Sequence, residues 1–194
     1  MCSNFGVSGP FRQEGFLNRD ECLAVRLAMD TGAIEDADVL AGGIHRQVLV
    51  RNASLIDPTG AVIDAIEARL ESWRERVAAS LGLALGAREG AGFIRYPVGG
   101  FYKPHRDRGD DPEWEGASRR AVALVVFLNT SRDGGLEGEF SGGVLRLFMS
   151  QQDVDVSPES GLLVAFPADV LHEVTEVRGG TRDTIVDWFY DADG

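Results

Sequence analysis

The stretch YPVGGFYKPHRD, residues 96–107, marks the point where the chain changes its pattern and where two candidate metal ligands first occur together. Short aromatic segments flank a Gly-Gly turn, which is typical of consecutive strands. His105 and Asp107 close the stretch, and residues i and i+2 of a strand face the same side. The chain has only 3 histidines. Two interpretations are open at this point: a chance pair of polar residues at a strand end, or two ligands of a metal site.

A third candidate ligand, His172, lies in FPADVLHEV, residues 166–174, at the start of a late predicted strand. Taken alone, a histidine here is better explained as a polar group at a strand end. Two imidazoles and one carboxylate on one face of a metal, however, make the facial triad of non-haem Fe(II) oxygenases, which leaves the opposite face open to reactants. His105, Asp107 and His172 together therefore favour a metal site.

A candidate anion-binding residue follows in RGGTRDTIVDWFY, residues 178–190, where Arg182 stands ten positions after His172. We expect it one strand over, facing the same barrel mouth. Its planar fork suits the far carboxylate of a dicarboxylic 2-oxoacid. The alternative is an exposed arginine in a strand. His45, in GGIHRQ, has no acidic partner at ligand spacing, and we expect it in a loop or on the surface.

Length and charge limit the class of protein. A chain of 194 residues predicts one domain, 1–194, with residues 1–90 as helical support and an edge strand and residues 91–190 as the core. The formal net charge of -12 argues against non-specific affinity for nucleic acid or anionic membranes. The 2 cysteines do not suggest a disulfide scaffold or a thiolate zinc site. Without a signal-like N-terminal pattern or a long apolar run, we expect a cytoplasmic protein.

Helical patterns occupy the first half of the chain. Asn18 and Glu21 predict a capping box for a helix that ends at Gly32. Its expected apolar positions are Leu23, Leu27 and Met29. A second helix, capped by Asp57 and ended by Gly82, is predicted by apolar residues at steps of three and four. These are Val62, Ile66, Leu70, Trp73, Val77 and Leu81.

Short strands between glycine-rich turns dominate the second half, and RQVLVRN, residues 46–52, adds a predicted edge strand. The predicted strands are Phe93–Tyr96, Tyr102–Arg106, Arg120–Leu128, Val144–Phe148, Leu162–Phe166, Val170–Val177 and Thr184–Tyr190. About eight short strands at this spacing fit an antiparallel sandwich or a cupin-like jelly roll. We therefore expect a mainly β fold with N-terminal supporting helices (α+β), built on a double-stranded β-helix.

The ordered motifs resemble the prolyl 4-hydroxylase-like branch of the Fe(II)/2-oxoglutarate-dependent dioxygenases. YPVGGFYKPHRD is similar to that family's Tyr-Pro-Gly…Tyr-x-x-His-x-Asp segment, and GGVLRLF to its Gly-Gly-x-Leu-Arg-hydrophobic strand. HEV and TRDTIVDWFY are similar to its distal histidine, its oxoglutarate-binding basic residue and a tryptophan six positions later. The similarity covers residues 92–190, about half of the chain.

The resemblance assigns roles to the candidate site. It implies iron held by His105, Asp107 and His172, with Arg182 on the remote carboxylate of 2-oxoglutarate. Tyr96 would also reach the cosubstrate through its hydroxyl. Three further residues are expected near the substrate: Tyr102, Arg120 and Trp188.

Three departures from the family pattern bear on the site. Phe127 stands where several relatives have a tyrosine that bonds the oxoglutarate carboxylate, so the cosubstrate loses about 1 kcal/mol of hydrogen bonding here. The loop from Tyr96 to His105 is a residue shorter than in some relatives, and Gly179–Gly180 places an extra residue before Arg182. Neither of these two changes in length removes a ligand, but both leave the substrate less well defined.

The resemblance also implies an activity. We expect an Fe(II)- and 2-oxoglutarate-dependent dioxygenase that uses O2, with ascorbate as an optional reductant, and hydroxylates an unactivated C–H bond with release of succinate and CO2. A prolyl residue in a protein or peptide is the first expected substrate, and neither nucleic acid nor a membrane is expected as a partner. The alternatives are a hydroxylase of a free amino acid or small metabolite, and a non-catalytic metal-binding cupin-like sensor.

Two groups of residues near the expected site stay open to two interpretations. The loop of residues 106–119, which contains Trp114, is either a lid over a peptide or a solvated loop. Apolar side chains either keep water from the reacting centre or simply fill the barrel core. They are Phe127, Leu145, Leu147 and Trp188.

Overall fold

A computed structural model of the chain describes residues 9–36, 50–109, 115–134 and 138–192. Its helices are α1 (Arg19–Thr31), α2 (Ala61–Ser72), α3 (Arg74–Leu81) and α4 (Glu115–Arg119). No helix in these ranges is long and apolar enough to cross a membrane.

Fifteen short strands make up most of the rest of the described ranges. They are β1 (Phe11–Gln13), β2 (Ala33–Asp36), β3 (Arg51–Asn52), β4 (Ser54–Asp57), β5 (Leu85–Arg88), β6 (Gly92–Tyr96), β7 (Phe101–His105), β8 (Arg120–Phe127), β9 (Ser141–Gly142), β10 (Leu145–Leu147), β11 (Val154–Val156), β12 (Leu163–Pro167), β13 (His172–Val174), β14 (Val177–Gly179) and β15 (Arg182–Asp191).

Two antiparallel sheets dominate the architecture. The larger has eight strands in the order β1-β12-β8-β15-β6-β4-β2, with β5 also paired to β15. The smaller has five strands in the order β11-β10-β13-β7-β3, and β14 pairs with β9 as a separate ribbon. The predicted mainly β fold is confirmed, and the arrangement is a double-stranded β-helix with helices on one side.

The larger sheet has two different faces. Its outer face packs on the helices, where Val122, Val126 and Ile185 join Val25 and Leu70 in one buried cluster. Its inner face packs on the smaller sheet through a second cluster, which includes Val125, Phe127, Leu145, Leu147 and Phe166. Because side chains of a strand alternate between faces, each central strand contributes to both layers. The space between the sheets is where the predicted ligands converge.

The first helix confirms its predicted ends but not its predicted buried face. The Asn18 side chain accepts from the Glu21 amide at 2.9 Å, and the Glu21 carboxylate accepts from the Asn18 amide at 2.8 Å. The buried residues are Cys22, Val25 and Met29. Leu23 and Leu27, predicted to face the core, are 52% and 57% exposed. Because each residue advances about 100° around the helix, Leu23, one position after Cys22, and Leu27, two positions from both Val25 and Met29, lie outside the buried 22–25–29 stripe.

The predicted second helix is two helices. Asp57 does not cap it, because Asp57 pairs with Ala33 at the end of β4. Helix α2 starts after Gly60 instead, and the chain bends at Trp73, whose ring lies 5.5 Å from that of Phe16. Helix α3 ends at Gly82, as predicted. Gly82 adopts the left-handed conformation, with φ 66. Most of the predicted stripe is buried: Ile66, Leu70, Val77 and Leu81.

The predicted strands are confirmed with changes at their ends. The predicted strand Val170–Val177 is split into β13 and β14, and Tyr102–Arg106 ends one residue earlier, at His105. Of the predicted edge strand 46–52, residues 46–49 lie outside the described ranges, and Arg51–Asn52 forms the edge strand β3. The sequence did not predict β1, β2, β4, β5, β9 or β11, which have only two to four residues each.

Candidate active site

A cavity lies between the two sheets, with about 70 Å³ of space for the centres of water molecules. Both sheets contribute to it, and eight of the nine predicted site residues line it: His105, Asp107 and six others. Those six are Tyr96, Tyr102, Arg120, His172, Arg182 and Trp188. Phe127, the other predicted site residue, is buried and does not line the cavity.

The three candidate metal ligands meet at one end of this cavity. His105 ends β7 and His172 begins β13, and the two are register partners in the smaller sheet. Nε2 of His105 lies 3.4 Å from Oδ1 of Asp107, and Nε2 of His172 lies 3.6 Å from Oδ2. One ligand atom from each residue lies within 4.8 Å of the others. Side chains separated by 65 positions in the sequence thus form one compact N2O donor set.

Backbone carbonyls orient both imidazoles. Nδ1 of His105 lies 2.9 Å from the carbonyl oxygen of Lys103, and Nδ1 of His172 lies 2.9 Å from that of Val170. A carbonyl oxygen only accepts, so Nδ1 carries a hydrogen in both rings and Nε2 is the nitrogen left to bind a metal. This arrangement of a second hydrogen bond behind the donor atom is typical of metal-binding histidines.

Asp107 lies beyond the end of β7, so strand geometry alone does not aim it. Its amide donates to the carbonyl oxygen of Ala168 at 3.0 Å, which ties it to the turn before His172. Its Oδ2 accepts from the indole Nε1 of Trp188 at 2.9 Å. Trp188, expected at the substrate end of the pocket, therefore also fixes the candidate carboxylate ligand.

The protonation states suit a divalent cation. Burial alone would raise the pKa of Asp107, but the imidazoles of His172 and His105, with the Trp188 donor, outweigh burial and hold the pKa below its usual range. Burial lowers the pKa of His172, against the opposing charge of Asp107. Metal ligands of this type must be a carboxylate and neutral imidazoles, so the directions of the pKa shifts of Asp107 and His172 both favour metal binding.

Arg182 is a buried cation in the same cavity. It is 1% exposed, and its guanidinium carbon lies 4.8 Å from the Tyr96 ring centroid and 5.2 Å from that of Phe127. Its Nε and Nη1 are buried without a hydrogen-bond partner. Burial lowers the pKa of Arg182. An uncompensated buried charge is costly, so the chain provides a position that an anionic ligand completes, and a carboxylate fits it.

A glycine makes room for this side chain. Gly143, in the quoted GGVLRLF block, has a φ of 64, and a Cβ there would lie 2.8 Å from Cδ of Arg182. Both the left-handed backbone and the close approach require glycine at this position. The glycine-rich motif therefore positions the predicted carboxylate-binding residue.

The residues expected near the substrate have distinct surroundings. Arg120 is 2% exposed, forms an ion pair with Glu89 and lies 3.7 Å above the Trp188 ring centroid. It thus supports the indole that donates to Asp107. Tyr102 stacks on His105 at 3.4 Å between ring centroids, and burial raises the pKa of Tyr102 to about 12, so its phenol is neutral.

Three polar or charged residues that line or support the cavity were missed by sequence reasoning, beside several apolar ones. Arg51 lines the cavity from the edge strand β3, and Thr184 lines it from β15. Glu89 supports Arg120. Thr184 lies in the TRDTIVDWFY block and Arg51 in the predicted edge strand, but no pattern there assigns either residue to the site. Their roles arise only from strand pairing, so no local signal predicts them.

The structure separates the predicted apolar wall residues and leaves two other predictions untested. Leu145 lines the cavity, whereas Leu147 is core between the sheets. His45 lies outside the described residues. So do residues 110–114 of the predicted 106–119 lid or solvated loop, Trp114 included.

Comparison with known proteins places these features in a family. The profile of the 2OG-Fe(II) oxygenase superfamily matches residues 91–190. A PKHD-type hydroxylase from Rippkaea orientalis is 31% identical over 99 residues, which is 50% of this chain and 40% of that protein. One from Prochlorococcus marinus is 27% identical over 99 residues, 51% of this chain and 40% of that protein. The matched segment thus spans well under half the length of either relative.

Solved structures agree over nearly the whole chain. The crystal structure of a Pseudomonas putida prolyl-4-hydroxylase superposes with a TM-score of 0.71 at 29% identity, covering 94% of this chain and 92% of that one. A Trichoplax adhaerens prolyl hydroxylase, in complex with a hypoxia inducible factor oxygen degradation domain peptide fragment, gives a TM-score of 0.75 at 21% identity, covering 95% and 84%. The second likeness concerns the fold alone.

Proposed function

The chain belongs to the 2OG-Fe(II) oxygenase superfamily, and we propose that it hydroxylates an unactivated C–H bond at the expense of 2-oxoglutarate and O2. The proposed products besides the alcohol are succinate and CO2. One observation carries the proposal: a His-Asp-His donor set within 4.8 Å shares its cavity with a buried arginine that lacks hydrogen-bond partners at two nitrogens.

We assign Fe(II) to His105, Asp107 and His172, and the remote carboxylate of 2-oxoglutarate to Arg182. When bound, ferrous iron and its cosubstrate supply the O2-dependent oxidation that side chains cannot perform. Two Nε2 lone pairs and one carboxylate form the chain's part of that centre. The orientation of all three is fixed by backbone carbonyls, by the Ala168 carbonyl and by the Trp188 indole.

Arg182 selects and orients the cosubstrate in this proposal. Its position between the Tyr96 and Phe127 rings restricts the guanidinium to one place. Proposed roles for these rings are a hydroxyl contact to the cosubstrate from Tyr96 and an apolar backing from Phe127. Leu145 and Val186 line the cavity and are suited to exclude water. Arg120 acts indirectly, by holding Trp188 against Asp107.

The proposed substrate is a prolyl residue in a protein or peptide. Support comes from the Pseudomonas putida prolyl-4-hydroxylase, which is 29% identical over most of both chains. The Trichoplax adhaerens enzyme, similar in fold, is complexed with a peptide fragment. A free amino acid or small metabolite is the alternative, and the small cavity of about 70 Å³ favours it. A metal-binding sensor has no use for the buried Arg182, which weighs against that class.

We further propose that residues 1–194 form one catalytic domain in which residues 1–90 support the core, residues 91–190. Pairing of β4 with β6 and of β5 with β15 supports this, since strands of the first region extend the sheet that carries Arg182. A cytoplasmic location is proposed as well, with the free buried thiol of Cys22 in accord with a reducing compartment. The net charge of -12 supports a lack of nucleic-acid and membrane partners.

The test is product analysis with Fe(II), 2-oxoglutarate and O2, with ascorbate as an optional reductant. Proline-containing peptides and free proline are incubated in parallel, and succinate is measured beside the mass of each substrate. A gain of one oxygen atom on peptides, coupled to succinate, is the expected result. Oxygen gain on free proline alone supports the small-molecule alternative. Neither succinate nor oxidised product from any substrate would contradict an oxygenase.

A further inference from the structure

A further arginine, Arg51, lines the cavity beside the histidine ligands. Arg51 lies on β3, the edge strand of the smaller sheet, where it is the register partner of Tyr102. Its guanidinium carbon lies 4.8 Å from the Tyr102 ring centroid, and Tyr102 in turn stacks on His105 at 3.4 Å. A continuous stack therefore runs from this arginine to a candidate metal ligand.

Arg51 has no acidic partner within the part of the chain that the structure describes. Its Nε is buried without a hydrogen-bond partner. Among the described residues, the guanidinium has a cation–π contact with the Tyr102 ring and no ion pair. Arg120, the other arginine on this side of the cavity, forms an ion pair with Glu89. Because a guanidinium only donates, the group that satisfies Arg51 must be an acceptor, and none of the described residues supplies one to its Nε.

The position of Arg51 differs from that of Arg182. Arg182 is 1% exposed, whereas Arg51 and Tyr102 are half-buried. Arg51 therefore lies at a part of the cavity that is more open to solvent than the part around Arg182. On a protein with a net charge of -12, an unpaired arginine at this place is a local attraction for anions.

We infer that Arg51 forms a second carboxylate-binding subsite, which holds a carboxylate of the molecule to be hydroxylated. The inference rests on the proposed function and narrows its substrate class. A carboxylate matches the planar fork and forms charge-assisted hydrogen bonds, which are stronger than those to a neutral carbonyl. Two sources share this chemistry: an acidic side chain near the target proline, and the free α-carboxylate of an amino acid or C-terminus.

Matched acid and amide probes test the inference. One set comprises capped peptides that carry glutamate or glutamine on either side of a single proline. The other pair is acetyl-proline with a free carboxylate and its amide. Binding is measured by calorimetry without oxygen, with Fe(II) and saturating 2-oxoglutarate present so that Arg182 is occupied. In the unmodified protein, at least one acid should bind about tenfold or more tightly than its amide.

Variants assign the preference to Arg51. Arg51→Gln should remove the preference for the acid, and Arg51→Lys should keep part of it, because the charge remains while the fork is lost. Arg12→Gln, an equal change of charge at an exposed position on edge strand β1, should leave it intact. A preference within the glutamate and glutamine peptides identifies an acidic side chain as the source of the carboxylate, and a preference for acetyl-proline over its amide identifies a free α-carboxylate.

Two results overturn the inference: equal or unmeasurable binding of acids and amides in both sets, or a preference that survives in Arg51→Gln. The comparison of acids with amides uses the unmodified protein, so it can refute the inference even if a variant misfolds. A failure of 2-oxoglutarate to bind would count against the proposed function alone, since the acid and amide probes still decide the role of Arg51.

Discussion

Two neighbouring residues of β15, Arg182 and Asp183, are both charged and both 1% exposed, yet the chain treats them in opposite ways. Asp183, on the outer face, accepts from Nε of Arg26 at 2.9 Å and from Nε of Arg95 at 2.7 Å. Arg182, on the inner face, has two buried nitrogens without a partner. The same strand thus carries a neutralised charge toward the helices and an unneutralised one toward the cavity.

The difference separates structural charge from functional charge. A buried charge that is paired by its own chain has its desolvation cost offset by the partner, and removal of that partner destabilises the fold. A buried charge left unpaired penalises the folded protein, and it persists where a ligand supplies the counter-charge. Burial alone does not distinguish the two cases; the presence of a partner does.

The largest expected effect is on the inner face at the ligand set. His172→Ala removes one of two imidazole donors, and we expect Fe(II) affinity to fall at least about 100-fold with loss of 2-oxoglutarate turnover. The thermal midpoint of unfolding of the metal-free variant should stay close to that of the metal-free wild type. Metal titration by calorimetry measures the effect, and wild-type Fe(II) affinity in the variant would remove His172 from the centre.

Arg182→Gln should separate binding of the cosubstrate from stability. Loss of a charge-assisted pair of about 1.5–3 kcal/mol raises the dissociation constant for 2-oxoglutarate about 10- to 150-fold. Stability of the ligand-free protein should stay level or rise, because an unpaired buried charge is removed. Fe(II) affinity serves as the internal control. An unchanged dissociation constant for 2-oxoglutarate would mean that another residue holds the cosubstrate.

Asp183→Asn is the matched change on the outer face, and it should have the reverse profile. Arg26 and Arg95 lose their shared carboxylate, which should lower the free energy of unfolding by about 1–3 kcal/mol, since both arginines are partly exposed. The folded variant should bind Fe(II) and 2-oxoglutarate as the wild type does. Urea denaturation measures the loss. A stable variant with impaired 2-oxoglutarate binding would erase the distinction between the faces.

The smallest effect is expected at the indole that positions Asp107. Trp188→Phe removes the donor to Oδ2 but keeps an aromatic ring under Arg120. We expect Fe(II) affinity to fall about tenfold, as is typical when a residue that hydrogen-bonds to a metal ligand is replaced. Trp73→Phe, far from the cavity in the helix layer, is the control and should not alter metal binding. Equal Fe(II) affinity in wild type and Trp188→Phe would limit Trp188 to lining the cavity.

Sequence reasoning predicted the donor set and Arg182 because their spacing is a local signal. His105 and Asp107 stand two apart, and the blocks around His172 and Arg182 carry recognisable turns and strands. Sequence reasoning also placed the N-terminus of α1 correctly for the same reason, since a capping box is a local motif. Features set by nearby residues in the chain are readable without a structure.

The remainder depends on which elements pair. Arg51 faces the cavity only because β3 joins β7, and Glu89 acts only because Arg120 comes to it from 31 positions away. Leu23 and Leu27 carry helical spacing, yet another stripe of the same helix is buried. Non-local pairing selects among faces and partners that are locally equivalent, and the sequence pattern does not encode that choice on its own.

The most direct test of the central claim is an oxygen-free titration of the protein with Fe(II) and 2-oxoglutarate, followed in the visible spectrum. We predict a weak charge-transfer band in the wild type, none in His172→Ala, and a band in Arg182→Gln that needs about 10- to 150-fold more 2-oxoglutarate. A band of full intensity at wild-type concentrations in His172→Ala would contradict the claim that the three converging side chains hold the iron.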